Sequence, residues 1–462
     1  MKNEITYDNY EKNIILIFAI FASFMTTFMG SSVNIALPAI AKEFNFNAII
    51  LTWVALSFLM TSAVSNLPSG WLSDIYGKKN IILTGLLIYI FALILTMTSK
   101  TASVLIISRV IHGIAGPLIS ASSSALLVHV FPKEQRGRVL GLNSAAVYLG
   151  LSTGPFFGGV LAHNFGWRSI FTAVLAACII LFFFFAFKVK KDNPLKPKQK
   201  FDVLGMILYA TSIITFIYGL SNITEKSGKI SAFSAIFCMI LFVFVELRIT
   251  HPVLPVQLFR NNPAFLFSNL AALIHYSSTF GISFLLSLYL QYVRGLSPQN
   301  AGIIIMAQPL VMMLLSPLAG RISDKIEPAY LASSGMAITA TGLLILSTIN
   351  INTELVFIVF VLAFIGFGFA FFSSPNTNAV MSSVSREHYG IASGVLGTMR
   401  LIGQVLGLAI STMIFSIFLG KSKIEPSNFD MFIKSMHVLY VIFFVLCVFG
   451  VFASMARGKV RK

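Results

Sequence analysis

Long runs of apolar residues follow one another along almost the whole chain, separated by short polar turns. Runs of about 20 apolar residues are typical of helices that cross a lipid bilayer. The pattern therefore predicts an all-α integral membrane protein. We expect fourteen membrane helices, at residues 14–34, 50–69, 80–99, 103–129, 138–162, 168–187, 204–222, 230–249, 265–290, 300–319, 330–349, 354–377, 391–417 and 436–456.

Composition excludes a soluble protein. Of the 462 residues, 56% are hydrophobic and only 11% are charged, whereas a soluble domain has about 25% charged residues. The formal net charge is +17, and on these helix boundaries about two thirds of the 33 Lys and Arg residues lie on the side of the membrane that holds both termini. Because positive residues concentrate in cytosolic loops, the charge predicts a multi-pass protein of the cell membrane with both termini cytosolic. It gives no reason to expect nucleic acid as a partner.

A charged stretch divides the chain. Residues 188–200 contain six Lys and two Pro, which is typical of a solvated linker. Two helices follow before His251-Pro252, and six more come after them. The sequence thus predicts a six plus two plus six arrangement: an N-terminal six-helix bundle (1–190), a linker with two inserted helices (191–255) and a C-terminal six-helix bundle (256–462).

The two six-helix parts share sequence patterns. Gly70-Trp-Leu-Ser-Asp74 recurs 250 residues later as Gly320-Arg-Ile-Ser-Asp324. A second match, at an offset of 253 residues, covers the loop before the fifth helix of each half and the glycines of that helix. Its pairs are Lys133-Glu134 with Arg386-Glu387, Gly137 with Gly390, Gly141 with Gly394, Gly150 with Gly403, and Gly154 with Gly407. The repeat predicts two parallel copies of one bundle, as in transporters whose halves rock against each other.

Three motifs then resemble a known family. The stretch from Gly70 to Lys79 resembles the cytosolic loop signature of the major facilitator superfamily. Gly150-Leu-Ser-Thr-Gly154-Pro155-Phe-Phe-Gly158-Gly159 resembles its antiporter signature, and Arg109-Val-Ile-His112-Gly113 resembles its Arg-x-x-Gln-Gly element with His in place of Gln. Together with fourteen helices, these motifs are similar to the 14-helix drug:proton antiporter branch. The resemblance implies the major facilitator fold and export of substrate.

Each motif also has a physical interpretation. An Asp beside Lys at a helix end forms contacts that can break when the conformation changes. Glycines four residues apart share a helix face and allow close packing, while a proline permits a kink. The candidate gating residues are Gly70, Asp74, Gly77, Lys78, Gly320, Asp324, Gly150, Gly154, Pro155, Gly158 and Gly159. Simple tight packing is the alternative for the glycines.

The chain departs from this branch at one position. The first helix normally carries an Asp nine residues before its proline, and here Met29 stands at that position. All 16 acidic residues fall in loops or at helix ends on these boundaries, so we expect no buried carboxylate. This absence favours neutral or anionic substrates over cationic drugs, since only basic and neutral groups remain at membrane depth.

These groups are the candidates for the cavity and for proton coupling. They are Arg109, His112, His275, Asn34, Arg400, Gln308 and Asn376. A proton would be carried by His112 or His275 with Arg109, because histidine titrates near neutral pH. Snorkelling of Arg109 to the membrane surface and a packing role for His275 are the alternatives. Cys178, Cys238 and Cys447 have no metal or disulfide spacing, so neither a metal nor a cofactor is expected.

The sequence therefore predicts a secondary active exporter of small amphipathic compounds that exchanges them for protons. It would be monomeric, with membrane lipids around it. A dedicated exporter of one endogenous metabolite, such as a siderophore, an amino-acid derivative or a lipid, is the alternative in the same class. An enzyme or a receptor is the alternative from another class, but no His/Asp or Ser/His grouping supports an enzyme, and no phosphate-binding loop supports ATP-driven transport.

Overall fold

The computed structural model describes residues 8–190, 202–249, 252–254, 256–385 and 389–458. Within them, 14 helical segments are long and apolar enough to cross a membrane, which confirms the number predicted. Most of the predicted linker, His251 and the repeated Arg386-Glu387 lie outside the described residues. The helices are α1 (Asn9–Phe44), α2 (Ala48–Tyr76), α3 (Lys78–Met97), α4 (Ala102–Val130), α5 (Lys133–Phe165), α6 (Arg168–Lys188), α7 (Val203–Ser221), α8 (Lys226–Glu246), α9 (Val256–Asn261), α10 (Pro263–Leu288), α11 (Pro298–Ile305), α12 (Ala307–Ser323), α13 (Pro328–Leu346), α14 (Leu355–Ser382), α15 (Tyr389–Phe418) and α16 (Phe429–Ala456).

Local capping, rather than hydropathy, sets the helix ends. At the start of α1, Asp8 Oδ1 accepts the Glu11 N–H at 2.7 Å, and the Asp8 N–H donates to Glu11 Oε2 at 3.4 Å. This capping box satisfies backbone N–H groups that have no partner within the helix. At the other end, Asn45 takes a left-handed conformation with φ of 59°. As a result α1 is longer than the predicted run 14–34 at both ends.

The two groups of six helices pack by the same scheme. In the first, α1 packs on α5, α2 on α4, and α3 on both α4 and α6. In the second, α10 packs on α15, α12 on α14, and α13 on both α14 and α16. The second helix of this copy is broken at Met306 into α11 and α12. We call α1–α6 the first half and α10–α16 the second half.

Glycines allow α5 to pack closely on α1, and α15 to pack closely on α10 at the corresponding place in the second half. A Cβ at Gly154 would lie 1.9 Å from Ser31 Oγ of α1, and a Cβ at Gly407 would lie 2.2 Å from the Ser277 carbonyl oxygen of α10. Gly407 requires glycine because it faces backbone at this distance, whereas an added Cβ at Gly154 would force the Ser31 hydroxyl to move. The sequence repeat therefore corresponds to the same helix contact in each half.

The inserted helices α7 and α8 form a hairpin beside the two halves. Gly219 of α7 packs against the backbone of Ala232 of α8, where an added Cβ would lie 2.5 Å from the Ala232 nitrogen. The α7 helix also packs on α2 of the first half and on α15 of the second half. Tyr209 anchors it to α2 by donating its hydroxyl to the Ala63 carbonyl at 3.1 Å. The predicted boundaries at residues 190 and 255 stay a prediction.

Hydrogen bonds join the two halves at more than one level of the molecule. We call the side that holds Asp8 and Arg457 the terminal side, and the other the opposite side. On the opposite side, Ser287 Oγ donates to the Asn34 carbonyl at 2.7 Å, and Gln291 Nε2 donates to the Ile35 carbonyl at 3.0 Å. Toward the terminal side, Asn66 Nδ2 donates to Thr398 Oγ1 at 2.9 Å. This conformation is therefore closed on the opposite side.

The closed side depends on a close backbone approach at Gly302. A Cβ at this residue would lie 2.1 Å from the Pro155 carbonyl oxygen, across the contact between α11 and α5. Gly302→Ala should therefore favour the state in which the halves separate on this side. In a chain without its 3 native cysteines, Ser287→Cys in the closed contact should react faster with a maleimide when Gly302→Ala is added.

Gly394→Ala is the matched control, because no heavy atom lies within 4 Å of the position of an added Cβ at Gly394. Equal labelling rates in the Gly302→Ala and Gly394→Ala backgrounds would show that the Gly302 contact does not hold this side closed.

Candidate functional site

A polar cluster joins the two halves near the middle of their helices. Tyr148 Oη of α5 lies 3.0 Å from Ser373 Oγ of α14, and Tyr276 Oη of α10 lies 3.4 Å from the same oxygen. Arg400 of α15 donates from Nη2 to Thr377 Oγ1 at 2.7 Å. Its guanidinium carbon lies 5.5 Å from the centre of the Tyr276 ring. We call these five residues the central cluster.

An apolar wall adjoins the central cluster. Met312, Phe369 and Ala370 are buried together, and both tyrosines of the cluster pack against them. Flexible methionine and aromatic side chains can adapt to molecules of different shape. The arrangement therefore places apolar side chains next to a few polar groups, a combination that is typical of small-molecule sites.

The Arg400 charge has no carboxylate partner among the residues that the structure describes. The Arg400 Nε is buried and lacks a hydrogen-bond partner. The guanidinium group contacts the Thr377 hydroxyl and the Tyr276 ring. A guanidinium at membrane depth is costly unless it faces a partner or a cavity. An electron-rich or anionic group of a bound molecule would supply that partner.

Three other predicted cavity residues lie outside the central cluster, two in the second half and one in the contact between the halves. Asn376 donates from Nδ2 to the Ser268 carbonyl at 3.1 Å, and its Oδ1 is buried without a partner. Gln308 of α12 also has a buried Oε1 without a partner. Asn34 lies in the closed contact on the opposite side, where its carbonyl accepts from Ser287.

His275 lies directly behind the central cluster. Its ring centre is 4.0 Å from that of Phe372 and 4.7 Å from that of Phe369. The side chain is fully buried, and neither ring nitrogen has a hydrogen-bond partner. The imidazole is thus enclosed by aromatic rings in this conformation, one residue away from Tyr276.

Arg109 and His112 lie within the first half, away from the central cluster. Arg109 Nε donates to the Val54 carbonyl at 3.1 Å, and its guanidinium carbon lies 4.7 Å from the centre of the Phe58 ring. The side chain is 1% exposed, so it does not snorkel to the surface. His112 packs beside Tyr89, with ring centres 4.8 Å apart, and both of its nitrogens lack partners.

The loop motif on the terminal side forms contacts within each half. Lys78 Nζ lies 3.0 Å from Asp74 Oδ1 across the turn between α2 and α3, where Gly77 has a φ of 87°. In the second copy, Asp324 Oδ1 accepts from Asn378 Nδ2 at 3.3 Å. Both Asp residues therefore tie together helix ends of one half in this conformation.

The antiporter-like stretch packs α5 tightly against α1. A Cβ at Gly150 would lie 2.3 Å from Thr27 Oγ1, and one at Gly158 would lie 2.6 Å from the Ser32 Cβ. Ser32 Oγ also donates to the Gly154 carbonyl at 2.9 Å. Gly159 and Pro155 face the other way, against the backbones of Pro298 and Gly302 of the second half. The stretch thus contacts both halves.

The expectation of no buried carboxylate is wrong. Glu11, Asp202 and Glu246 are 6%, 8% and 1% exposed. They do lie at helix ends, but neighbouring segments cover those ends. Glu11 is paired with Lys190, with Oε1 and Nζ 2.9 Å apart, and this contact raises the pKa of the Lys190 ammonium.

Sequence analysis did not select Tyr148, Ser373 or Thr377 as site residues. Each is a hydroxyl-bearing residue within a long apolar helix, a signal too common to single them out. Only the approach of the two halves to each other brings Tyr148 of α5 and Ser373 of α14 together.

Comparisons with known proteins agree with this architecture. The family model described as Major Facilitator Superfamily matches residues 17–408. The riboflavin transporter RibZ of Clostridioides difficile (strain 630) is 27% identical over 440 residues, which cover 95% of this chain and 96% of RibZ. The multidrug resistance protein Stp of Mycobacterium tuberculosis (strain ATCC 25618 / H37Rv) is 27% identical over 401 residues, which cover 85% of this chain and 74% of Stp.

A solved structure matches over the full length. The crystal structure of a bacterial homolog of the human lysosomal transporter Spinster, in an inward-facing and unoccupied conformation, aligns with a TM-score of 0.72 at 16% identity. The alignment covers 99% of both chains. It confirms the predicted fold of an all-α membrane protein.

Proposed function

Because the chain belongs to the Major Facilitator Superfamily, whose members are transporters and not enzymes, we propose that it exports small amphipathic compounds in exchange for protons. The observation that carries this proposal is the central cluster. It joins the two halves at mid-helix, which is where substrates bind in transporters that rock one half against the other.

The chemistry of the cluster suggests the substrate class. Arg400 and the Tyr148 and Tyr276 hydroxyls provide polar contacts, and the wall around Phe369 provides apolar contact. A compound with an aromatic or aliphatic body and a neutral or anionic polar end would satisfy both. A permanent dication would meet the Arg400 charge with no carboxylate beside it among the described residues.

The close packing of α5 supports the outward direction. The stretch from Gly150 to Gly159 resembles an antiporter signature and packs against both halves. Such packing would close a leak between the halves while substrate and proton are exchanged. The resemblance to the multidrug resistance protein Stp points in the same direction.

A second candidate is a transporter dedicated to one metabolite. The similarity to the riboflavin transporter RibZ over 95% of this chain favours this alternative. A planar aromatic compound with polar groups would also fit beside Phe369 and the two tyrosines. The sequence also suggests three other endogenous substrates for such a dedicated transporter: a siderophore, an amino-acid derivative or a lipid.

Cells that express the protein should accumulate less of an anionic or neutral lipophilic dye than cells without it. A protonophore should abolish the difference, since it removes the proton gradient. Arg400→Gln should raise accumulation to the level of cells without the protein. Arg321→Gln, a change at a solvent-exposed position on α12, should not.

Energy-dependent accumulation above the level of control cells would instead establish uptake and contradict the proposal. Including riboflavin in the panel separates the two candidates, because a dedicated transporter would move one compound and leave the dyes unaffected.

Proton coupling is proposed to run through His112 or His275, with Arg109 acting on its neighbour His112. Replacing both histidines by glutamine should remove most of the dependence of transport on an imposed pH gradient in proteoliposomes. His163→Gln is the control, because His163 is exposed at the end of α5. If the double variant keeps the full pH dependence, the histidines do not carry the proton.

A further inference from the structure

Two buried carboxyl groups meet where the inserted hairpin returns to the terminal side. Asp202 is the N-cap of α7, and Glu246 is the last residue of α8. They are only 8% and 1% exposed. Neither belongs to the central cluster, and transport as proposed above gives neither of them a role.

In each carboxylate, one oxygen accepts a backbone hydrogen bond and the other has no hydrogen-bond partner. Asp202 Oδ1 accepts the Gly205 N–H at 2.8 Å, and Glu246 Oε2 accepts the Leu254 N–H at 3.2 Å. The remaining oxygens, Asp202 Oδ2 and Glu246 Oε1, are buried and have no hydrogen-bond partner. A buried acceptor left without a donor costs free energy.

The two free oxygens converge on one point. A Cβ at Gly205 would lie 2.1 Å from Asp202 Oδ2 and 2.7 Å from Glu246 Oε1. The oxygens therefore cannot be further apart than the sum of these distances. Gly205 leaves room for this arrangement, because an added Cβ would force both carboxylates to move.

No positive charge balances this pair among the described residues. Neither Asp202 nor Glu246 forms an ion pair with a basic side chain in the part of the chain that the structure describes. Just after α8, Arg248 is stacked over the Phe244 ring, with its guanidinium carbon 3.8 Å from the ring centre. Lys226 and Lys229 lie in the first turn of α8, at the end away from Glu246. The other two helices packed on α7 carry one charged residue each: Asp74 of α2 is paired with Lys78, and Arg400 of α15 is bound to Thr377.

A proton is the ligand that this geometry fits. Two ionised carboxylates at such a distance repel each other, and a proton bound to the pair removes one of the two negative charges. The oxygen that carries the proton becomes an O–H donor, and the other free oxygen accepts its hydrogen bond. A metal ion would need more ligands, and no group of three or more candidate metal-ligating side chains exists among the described residues.

We propose that Asp202 and Glu246 form a binding site for one proton that holds the ends of α7 and α8 together on the terminal side. Through Leu254, the same contact fixes the segment that leads into the second half. Because α7 packs on α2 and on α15, loss of the proton would loosen an element that touches both halves. The site binds its proton whether or not the transport proposal is correct.

Infrared difference spectroscopy tests the site directly. Purified wild-type protein, in a detergent without ester groups, should show the C=O band of one protonated carboxyl group at neutral pH and lose it at alkaline pH. Asp202→Asn and Glu246→Gln should each abolish the band. Glu225→Gln, at the exposed other end of α8, should leave it unchanged.

Absence of the band in the wild type would show that both groups are ionised and would overturn the proposal. So would a band that persists in either variant, because the proton would then lie elsewhere. Loss of the wild-type band on adding sodium at constant pH would identify a cation site instead.

A second measurement needs no variant, in case the variants do not fold. Dicyclohexylcarbodiimide is an apolar reagent that modifies protonated carboxyl groups. Mass spectrometry of the treated wild type should locate the adduct on Asp202 or Glu246 in preference to Glu225, with less adduct at alkaline pH. Equal modification of all three residues would contradict a protonated pair.

Discussion

The arginine charge of the central cluster, which has no carboxylate beside it among the described residues, is the constraint on which the proposed function depends. Arg400 lies near the middle of α15, a position at which an ionised side chain is costly. Thr377 and the Tyr276 ring compensate part of this cost. In the proposed function a bound molecule that brings electron density would offset the remainder, so this charge would also select the ligand. The first helix carries Met29, and not an Asp, at the position to which the resemblance to the drug:proton antiporter branch draws attention.

Rigid halves are the second requirement of such a mechanism, and glycines provide them. Gly154 and Gly407 bring α5 onto α1 and α15 onto α10 so closely that hydroxyl groups and backbone carbonyls touch. Between the halves, by contrast, the contacts include single hydrogen bonds such as Asn66 with Thr398. They also include the close backbone approach of Gly302 to Pro155. Dense packing within each half allows the halves to move as bodies once the contacts between them break.

Hydropathy was sufficient to predict the helices because a membrane leaves no other way to satisfy backbone polar groups in a single span. The internal repeat likewise predicted which helix contacts recur. Helix ends were predicted less well, since the Asp8 capping box extends α1 beyond its apolar run. Burial of Asp202 and Glu246 was missed because it depends on how the segment at Leu254 folds back over the helix ends. The pairing of Tyr148 with Ser373 follows from contact between halves, which no local pattern encodes.

The most direct test of the central claim is equilibrium binding of two matched amphiphiles to the purified protein, one with a single negative charge and one with a single positive charge. Isothermal titration of the wild type should show tighter binding of the anion. In Arg400→Gln this preference should disappear, while binding of an uncharged analogue should change little. Tighter binding of the cation to the wild type, or an anion preference that survives in Arg400→Gln, would contradict the role assigned to Arg400.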